Sequence, residues 1–161
     1  MKTGINYWVG TGFGSGLAPI APGTAGSLVA CIPAWFVVQH VGLVGLLFLF
    51  VAFLILGYLS APWFIREIGD DPGIFVMDEW AGQMVPIGII FVFPEISPDY
   101  TIHLFVTAFL LFRLFDIIKP LGIKKIERLG GPNGIMLDDV AAGFYAFTTL
   151  FFAILAVLAI I

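Results

Sequence analysis

Apolar and polar residues fall along this chain in long blocks. From Ser27 to Ile65 there is no Asp, Glu, Lys or Arg, a run far longer than the ~20 residues one bilayer crossing needs. Gln39-His40-Val41-Gly42 is its natural break, so the pattern predicts helices over 27–39 and 41–60 joined by a tight turn. At ~1.5 Å per residue the first reaches only ~20 Å into a ~30 Å hydrocarbon core. It is therefore expected to be re-entrant or to begin before Ser27. Residues 61–79 are polar and carry Arg66, Glu67, Asp70, Asp71, Asp78 and Glu79. A short apolar stretch, 80–93, follows, and Pro94 to Asp99 reads as a turn from its prolines and polar side chains. Residues 100–118 predict a helix carrying Arg113 and Asp116. It stops at Lys119-Pro120, because a residue before proline avoids the helical region. A second polar loop covers 119–137, and a last helix covers 138–161.

The fold class is thus all-α: a polytopic membrane helix bundle of about five helices, some short or re-entrant, in one domain over 1–161. Composition agrees. The 161 residues are 60% hydrophobic and 11% charged, where soluble domains carry about 25% charged residues, and the mean hydropathy is +1.07. A net charge of −4 argues against a nucleic-acid partner, which needs a basic face. No removable signal peptide is expected, since no basic-then-apolar leader with a small-residue cleavage site opens the chain. The lone Cys31 has no partner for an internal disulfide and sits in an apolar run, as a core or lipid-facing residue.

Charge also orients the bundle. Five crossings place Lys2, Arg66, Lys119, Lys124, Lys125 and Arg128 on one side, with Arg113 near that end of its helix. Excess Lys and Arg mark the cytoplasmic side. The opposite loops hold His40, Glu95 and Asp99, with His103 just inside the next helix. The N-terminus is expected inside and the C-terminus outside.

This topology brings Asp78-Glu79, Arg113-Asp116-Lys119 and Asp138-Asp139 to the cytoplasmic ends of three helices. Ionisable groups near the membrane on several helices mark a functional site. Paired carboxylates in low dielectric repel unless something binds them, and hard oxygen ligands suit Mg²⁺. Asp78, Glu79, Asp138 and Asp139 are the expected ligands, with Asp116 a general base or further ligand. Arg113, Asp116 and Lys119 are spaced by three and share a helix face. The two cations suit an anionic group, and phosphate is the one expected. The bland alternative is surface ion pairs plus caps, with Asp138 capping a helix and Asp139 favouring its positive end.

Gly10-Thr11-Gly12-Phe13-Gly14-Ser15-Gly16 is only superficially a nucleotide loop, since no strand precedes it and it lacks a phosphate-loop Lys. Thr24 or Ser27 can cap the next helix, and N–H groups at such a start can hold phosphate, so both are candidate substrate-binding residues with Arg113 and Lys119. Asp70-Asp71-Pro72-Gly73 reads as a turn that needs no chemistry. His40 and His103 lie on the wrong side for a phosphohistidine, and Cys31 is too apolar in context for a nucleophile.

Gly12-Phe13-Gly14-Ser15-Gly16, Pro22-Gly23-Thr24-Ala25-Gly26-Ser27, Asp78-Glu79, Arg113-Leu114-Phe115-Asp116-Ile117-Ile118-Lys119-Pro120 and Gly134-Ile135-Met136-Leu137-Asp138-Asp139-Val140-Ala141-Ala142-Gly143, in this order and spacing, resemble the phosphatidylglycerophosphatase A family. The resemblance covers residues ~10 to ~145. It implies a Mg²⁺-dependent, all-helical phosphatase of the bacterial inner membrane that removes the terminal phosphate of an anionic phospholipid, phosphatidylglycerophosphate, leaving phosphatidylglycerol. Attack by water and an aspartyl-phosphate intermediate both remain open. Two rivals stand beside it. A Mg²⁺-dependent phosphatidyltransferase would release a nucleotide, and its clustered aspartates within one helix start are not found here. A small ion carrier would place acids at mid-membrane depth or on both sides, whereas here they gather at one face.

Overall fold

With no water in the hydrocarbon core, a spanning backbone must satisfy its own N–H and C=O groups, and long apolar blocks do so as helices. The computed structural model describes residues 4–70, 72–94, 100–120 and 122–160. Lys2, Asp71 and residues 95–99 of the predicted turn, with Glu95 and Asp99, lie outside the described residues. The helices are α1 (Ile5–Gly10), α2 (Pro22–His40), α3 (Leu43–Glu67), α4 (Met77–Ile87), α5 (Thr101–Ile118), α6 (Ile123–Glu127) and α7 (Gly131–Leu158), with 3₁₀ turns at Ser15–Leu17 and Gly88–Phe91. The four helices α2, α3, α5 and α7 are long and apolar enough to cross a membrane. This is the all-α bundle the sequence predicts, and it has the build of a membrane protein.

The fifth passage differs in kind. α4 has 11 residues, and all but three of them are buried. It packs against α2, α3, α5 and α7. Enclosed by protein rather than lipid, it can be short, carry Pro86 and pass into a 3₁₀ turn, because neighbouring helices replace what the backbone loses. α4 runs parallel to α7. Gly82 lies against the Asp139 backbone, Gly143 against the Gly82 carbonyl and Val85, and Gly88 near Phe147. The Phe93 and Phe151 rings sit 5.6 Å apart. A side chain at Gly82 or Gly143 would hold the two helices apart: an added Cβ would lie 2.7 Å from the Asp139 carbonyl oxygen in one case and 2.5 Å from the Gly82 carbonyl oxygen in the other.

α5 runs the other way, with Phe112 also against Gly82 and Arg113 beside Glu79. Asp78, Arg113 and Asp139 therefore share one end of the bundle. The N-terminal segment joins them there, since the Val76 N–H donates to the Gly10 carbonyl at 2.8 Å. Trp80 Nε1 reaches Ser15 Oγ at 3.4 Å, so the glycine-rich stretch is a close-packed floor under α4. The α2–α3 turn and Phe93 lie at the far end. His40, the last residue of α2, meets the Phe36 ring.

Helix starts depart from the sequence reading. α2 begins at Pro22, not Ser27, and its 19 residues span ~28 Å at 1.5 Å per residue, enough to cross. Neither Thr24 nor Ser27 caps it. The cap position is Ala21, and Ser27 donates back to the Gly23 carbonyl at 2.9 Å. α3 continues to Glu67 rather than stopping near residue 60, and Arg66 and Glu67 pair on its last turn. α6 occupies part of the predicted 119–137 loop. α7 begins at Gly131, two turns before residue 138. Gly130 and Gly131 take positive φ (68° and 58°) to turn the chain, and Pro132 fits the first helical turn, where its missing N–H would be unpaired anyway. Asp138 is consequently no cap.

Candidate active site

A cavity of about 310 Å³ opens at the shared end. Its walls include Asp78, Glu79, Asp116, Lys119, Glu127, Asp138 and Asp139. Asp78 and Glu79 stand in the first turn of α4, where the positive helix end favours carboxylates. Asp138 and Asp139 enter from two turns into α7. Asp78, Glu79 and Asp139 each bring one carboxylate oxygen to within 4.8 Å of the others. Glu79 Oε2 and Asp139 Oδ2 are buried with no hydrogen-bond partner among the described residues. Two hydrogen bonds stiffen the pairs: the Glu79 N–H donates to Asp78 Oδ1 at 3.0 Å, and the Asp139 N–H to Asp138 Oδ1 at 3.0 Å.

Two cations flank the acids on different terms. Arg113 donates to Asp116 Oδ2 at 2.7 Å, lies 3.7 Å from Glu79 Oε1 and donates to Ser27 Oγ at 3.3 Å. A Cβ added at Gly23 would run into the Glu79 carboxylate and approach the Arg113 guanidinium, so a side chain there would displace these groups. Lys119, in the left-handed region (φ 49°) that ends α5, donates to Asp138 Oδ2 at 2.6 Å and Glu127 Oε1 at 2.7 Å. Burial lowers the Lys119 pKa, but the bonds to Asp138 and Glu127 outweigh it and hold the pKa above the ordinary lysine value.

Of the four expected metal ligands, the structure gathers Asp78, Glu79 and Asp139, while the Asp138 carboxylate is taken by Lys119. Asp116 and Lys119 line the cavity; Arg113 is not among its lining residues and sits behind Glu79 and Asp116. Ser27 holds Arg113, and Thr24 is half-buried on the first turns of α2. Asp70 lines the cavity too, although its stretch read as a plain turn. Sequence reasoning also missed Glu127, the second partner of Lys119, and Gln83. Gln83 is fully buried on α4 with both amide atoms unpartnered among the described residues. Its signal was an amide four residues after Glu79 inside an apolar run.

Fold and site define a class: a helical membrane protein with a buried carboxylate–cation centre open at one end of the bundle. The chain belongs to the phosphatidylglycerophosphatase A family, whose sequence model matches residues 8–154. Three relatives agree in extent. A Bacteroides thetaiotaomicron protein provisionally named phosphatidylinositol-3-phosphatase is 40% identical over 86% of this chain and 87% of its own. The phosphatidylglycerophosphatase A of Haemophilus influenzae is 36% identical over 90% and 86%, and that of Escherichia coli 31% over 91% and 83%. No solved structure matches the chain. The protein is a phospholipid phosphatase.

Proposed function

We propose that the chain hydrolyses the terminal phosphomonoester of phosphatidylglycerophosphate to phosphatidylglycerol and inorganic phosphate, using Mg²⁺ held by Asp78, Glu79 and Asp139. The observation that carries this reading is the convergence of the three carboxylates within 4.8 Å, with two buried oxygens unpartnered. Such a set repels itself in low dielectric, and a hard dication suits its oxygen ligands. A cation bound there would polarise a phosphoryl oxygen and lower the pKa of a water.

The chain's own groups do the rest. Lys119 has three N–H donors, two engaged by Asp138 and Glu127, and the third serves a phosphate oxygen in the cavity. Asp138 and Glu127 hold that ammonium in place. Asp116 takes a proton from the attacking water and delivers it to the ester oxygen as the P–O bond breaks, so the glycerol leaves as its hydroxyl and inorganic phosphate is released. Arg113 holds the Asp116 carboxylate in place, and is a positioning residue rather than a direct clamp. Ser27 orients Arg113 in turn, and Thr24 is the candidate contact for the head group's glycerol.

The site faces the cytoplasm of a bacterial inner membrane, a placement supported by Arg66, Lys119, Lys124, Lys125 and Arg128 at the site end. In a Cys31→Ala background, single cysteines replacing Pro72, Ser97 or Asn133 test this with a membrane-impermeant thiol reagent on intact cells. Labelling is expected at 97 alone; labelling at 72 and 133 but not 97 would invert the orientation.

The Bacteroides relative's name supports a second reading, a 3-phosphoinositide as substrate. Phosphate release by the purified protein, from each of the two lipids with and without Mg²⁺, separates them. The first reading expects Mg²⁺-dependent release favouring phosphatidylglycerophosphate. A preference for phosphatidylinositol 3-phosphate would transfer the assignment, and undiminished release in chelator would remove the metal.

A further inference from the structure

Between α2 and α5 lies a hollow of about 530 Å³ with wholly apolar walls, among them Leu28, Cys31, Ile32 and Trp35 on α2 and Phe105 and Phe109 on α5. That is the size range of ligand pockets, ~300–1,000 Å³. Its floor is ordered by the edge-on contact of Trp35 with Phe105, 5.1 Å between centroids. Its outer rim is open, with Leu28 and Ile32 each 59% exposed.

Its position along the two helices is what gives it meaning. Leu28 directly follows Ser27, and Phe109 stands one helical turn before Arg113. Ser27 and Arg113 are hydrogen-bonded to each other, and Arg113 reaches Glu79 and Asp116 in the carboxylate centre. The near end of the hollow thus lies beside the Ser27–Arg113 pair, whose other side meets Glu79 and Asp116 of the carboxylate cavity. The hollow runs along α2 for ~12 Å, from Leu28 to Phe36, at 1.5 Å per residue. A second apolar hollow of about 200 Å³, lined by Leu43, Phe50 and Phe147 among others, lies towards the far end and has no such continuity.

We infer that the α2–α5 groove is a docking site for one acyl chain of the phospholipid substrate, seating the lipid so that its phosphate meets the carboxylate centre. The occupant must be an amphiphile, because one end of the path is charged and the rest is apolar. The inference rests on the phosphatase reading above and adds how the substrate is positioned and selected by chain length. Binding energy collected along the tail then orients the reacting phosphate.

The test compares phosphate release from dihexanoyl and dioleoyl forms of phosphatidylglycerophosphate in mixed micelles. Ile32→Trp and Val106→Trp fill the groove from either wall, and Phe152→Trp places the same side chain on an outward face of α7. The long-to-short ratio of kcat/KM should fall ~10-fold, the scale of losing a few apolar contacts, in both groove variants and not in Phe152→Trp. An unchanged ratio, or an equal fall in all three, would overturn the groove. Wild-type protein supplies an independent measurement: a phospholipid with a mid-chain diazirine should crosslink chiefly to residues 28–36 and 102–109. Crosslinks spread evenly over the lipid-facing helices would mean bulk lipid only and would overturn it as well. Absence of phosphate release from either chain length by wild-type protein would instead overturn the hydrolytic reading itself.

Discussion

Arg113 and Lys119 stand six residues apart on α5 and its C-terminal stop, and each meets carboxylates, yet their surroundings differ. The Arg113 side chain is 13% exposed and enclosed by α2, α4 and α5, with Ser27, Glu79 and Asp116 around it. The Lys119 side chain is 20% exposed, lines the cavity and is held by Asp138 and Glu127 from α7 and α6. A planar fork suits a fixed position among several acceptors, whereas a flexible ammonium can exchange partners. Under the proposed function, the difference suits Arg113 to holding the site together and Lys119 to meeting the substrate.

The largest expected effect lies between the two cations, at the carboxylates they flank. Asp139→Asn and Asp78→Asn should each lower kcat/KM by ~10³-fold or more, the upper scale of removing one preorganised electrostatic group, with helix content by circular dichroism retained. Wild-type-like kinetics in both would remove the metal site. Next comes Lys119→Ala, expected to cost ~10²-fold in kcat/KM with a raised KM. Lys119→Arg should recover part of it. Because the Lys119 pKa is held above its ordinary value, its charge persists below pH ~10, the free lysine value, and is lost only as pH rises through the raised one. No alkaline fall in activity should therefore trace to Lys119 within pH 6 to ~9.

Arg113→Ala should affect stability first. It leaves Asp116 and Glu79 without their buried partner, at about 3–5 kcal/mol, and should lower kcat with little change in KM. A raised KM at constant kcat would move Arg113 to the substrate and erase the contrast with Lys119. Glu127→Gln should be mildest, within ~3-fold in kcat/KM, since that side chain is 49% exposed and exposed pairs are worth ~0–1 kcal/mol.

The carboxylates were legible in the sequence because charge near a bilayer is costly and therefore conspicuous. Asp78-Glu79 and Asp138-Asp139 stood out on that ground, and basic loop residues arranged them at one end. The helix starts were hidden. Gly130-Gly131-Pro132-Asn133-Gly134 has turn composition, but only Gly130 and Gly131 take positive φ, and α7 already begins at Gly131. Pairing was hidden for another reason. Whether Lys119 meets phosphate, Asp138 or Glu127 depends on how α6 packs on α7, which no local pattern encodes. The enclosed setting of α4 was likewise a tertiary fact: residues 80–93 are as apolar as a short span, and only their neighbours distinguish protein from lipid around them.

The central claim is that Asp78, Glu79 and Asp139 together hold a divalent cation. Mn²⁺ in place of Mg²⁺, titrated into detergent-solubilised protein and followed by electron paramagnetic resonance, reads this without turnover. Wild-type and Glu127→Gln protein should bind Mn²⁺ alike, and Asp139→Asn should bind it at least ~10-fold more weakly. Equal binding by wild-type and Asp139→Asn protein would contradict the account.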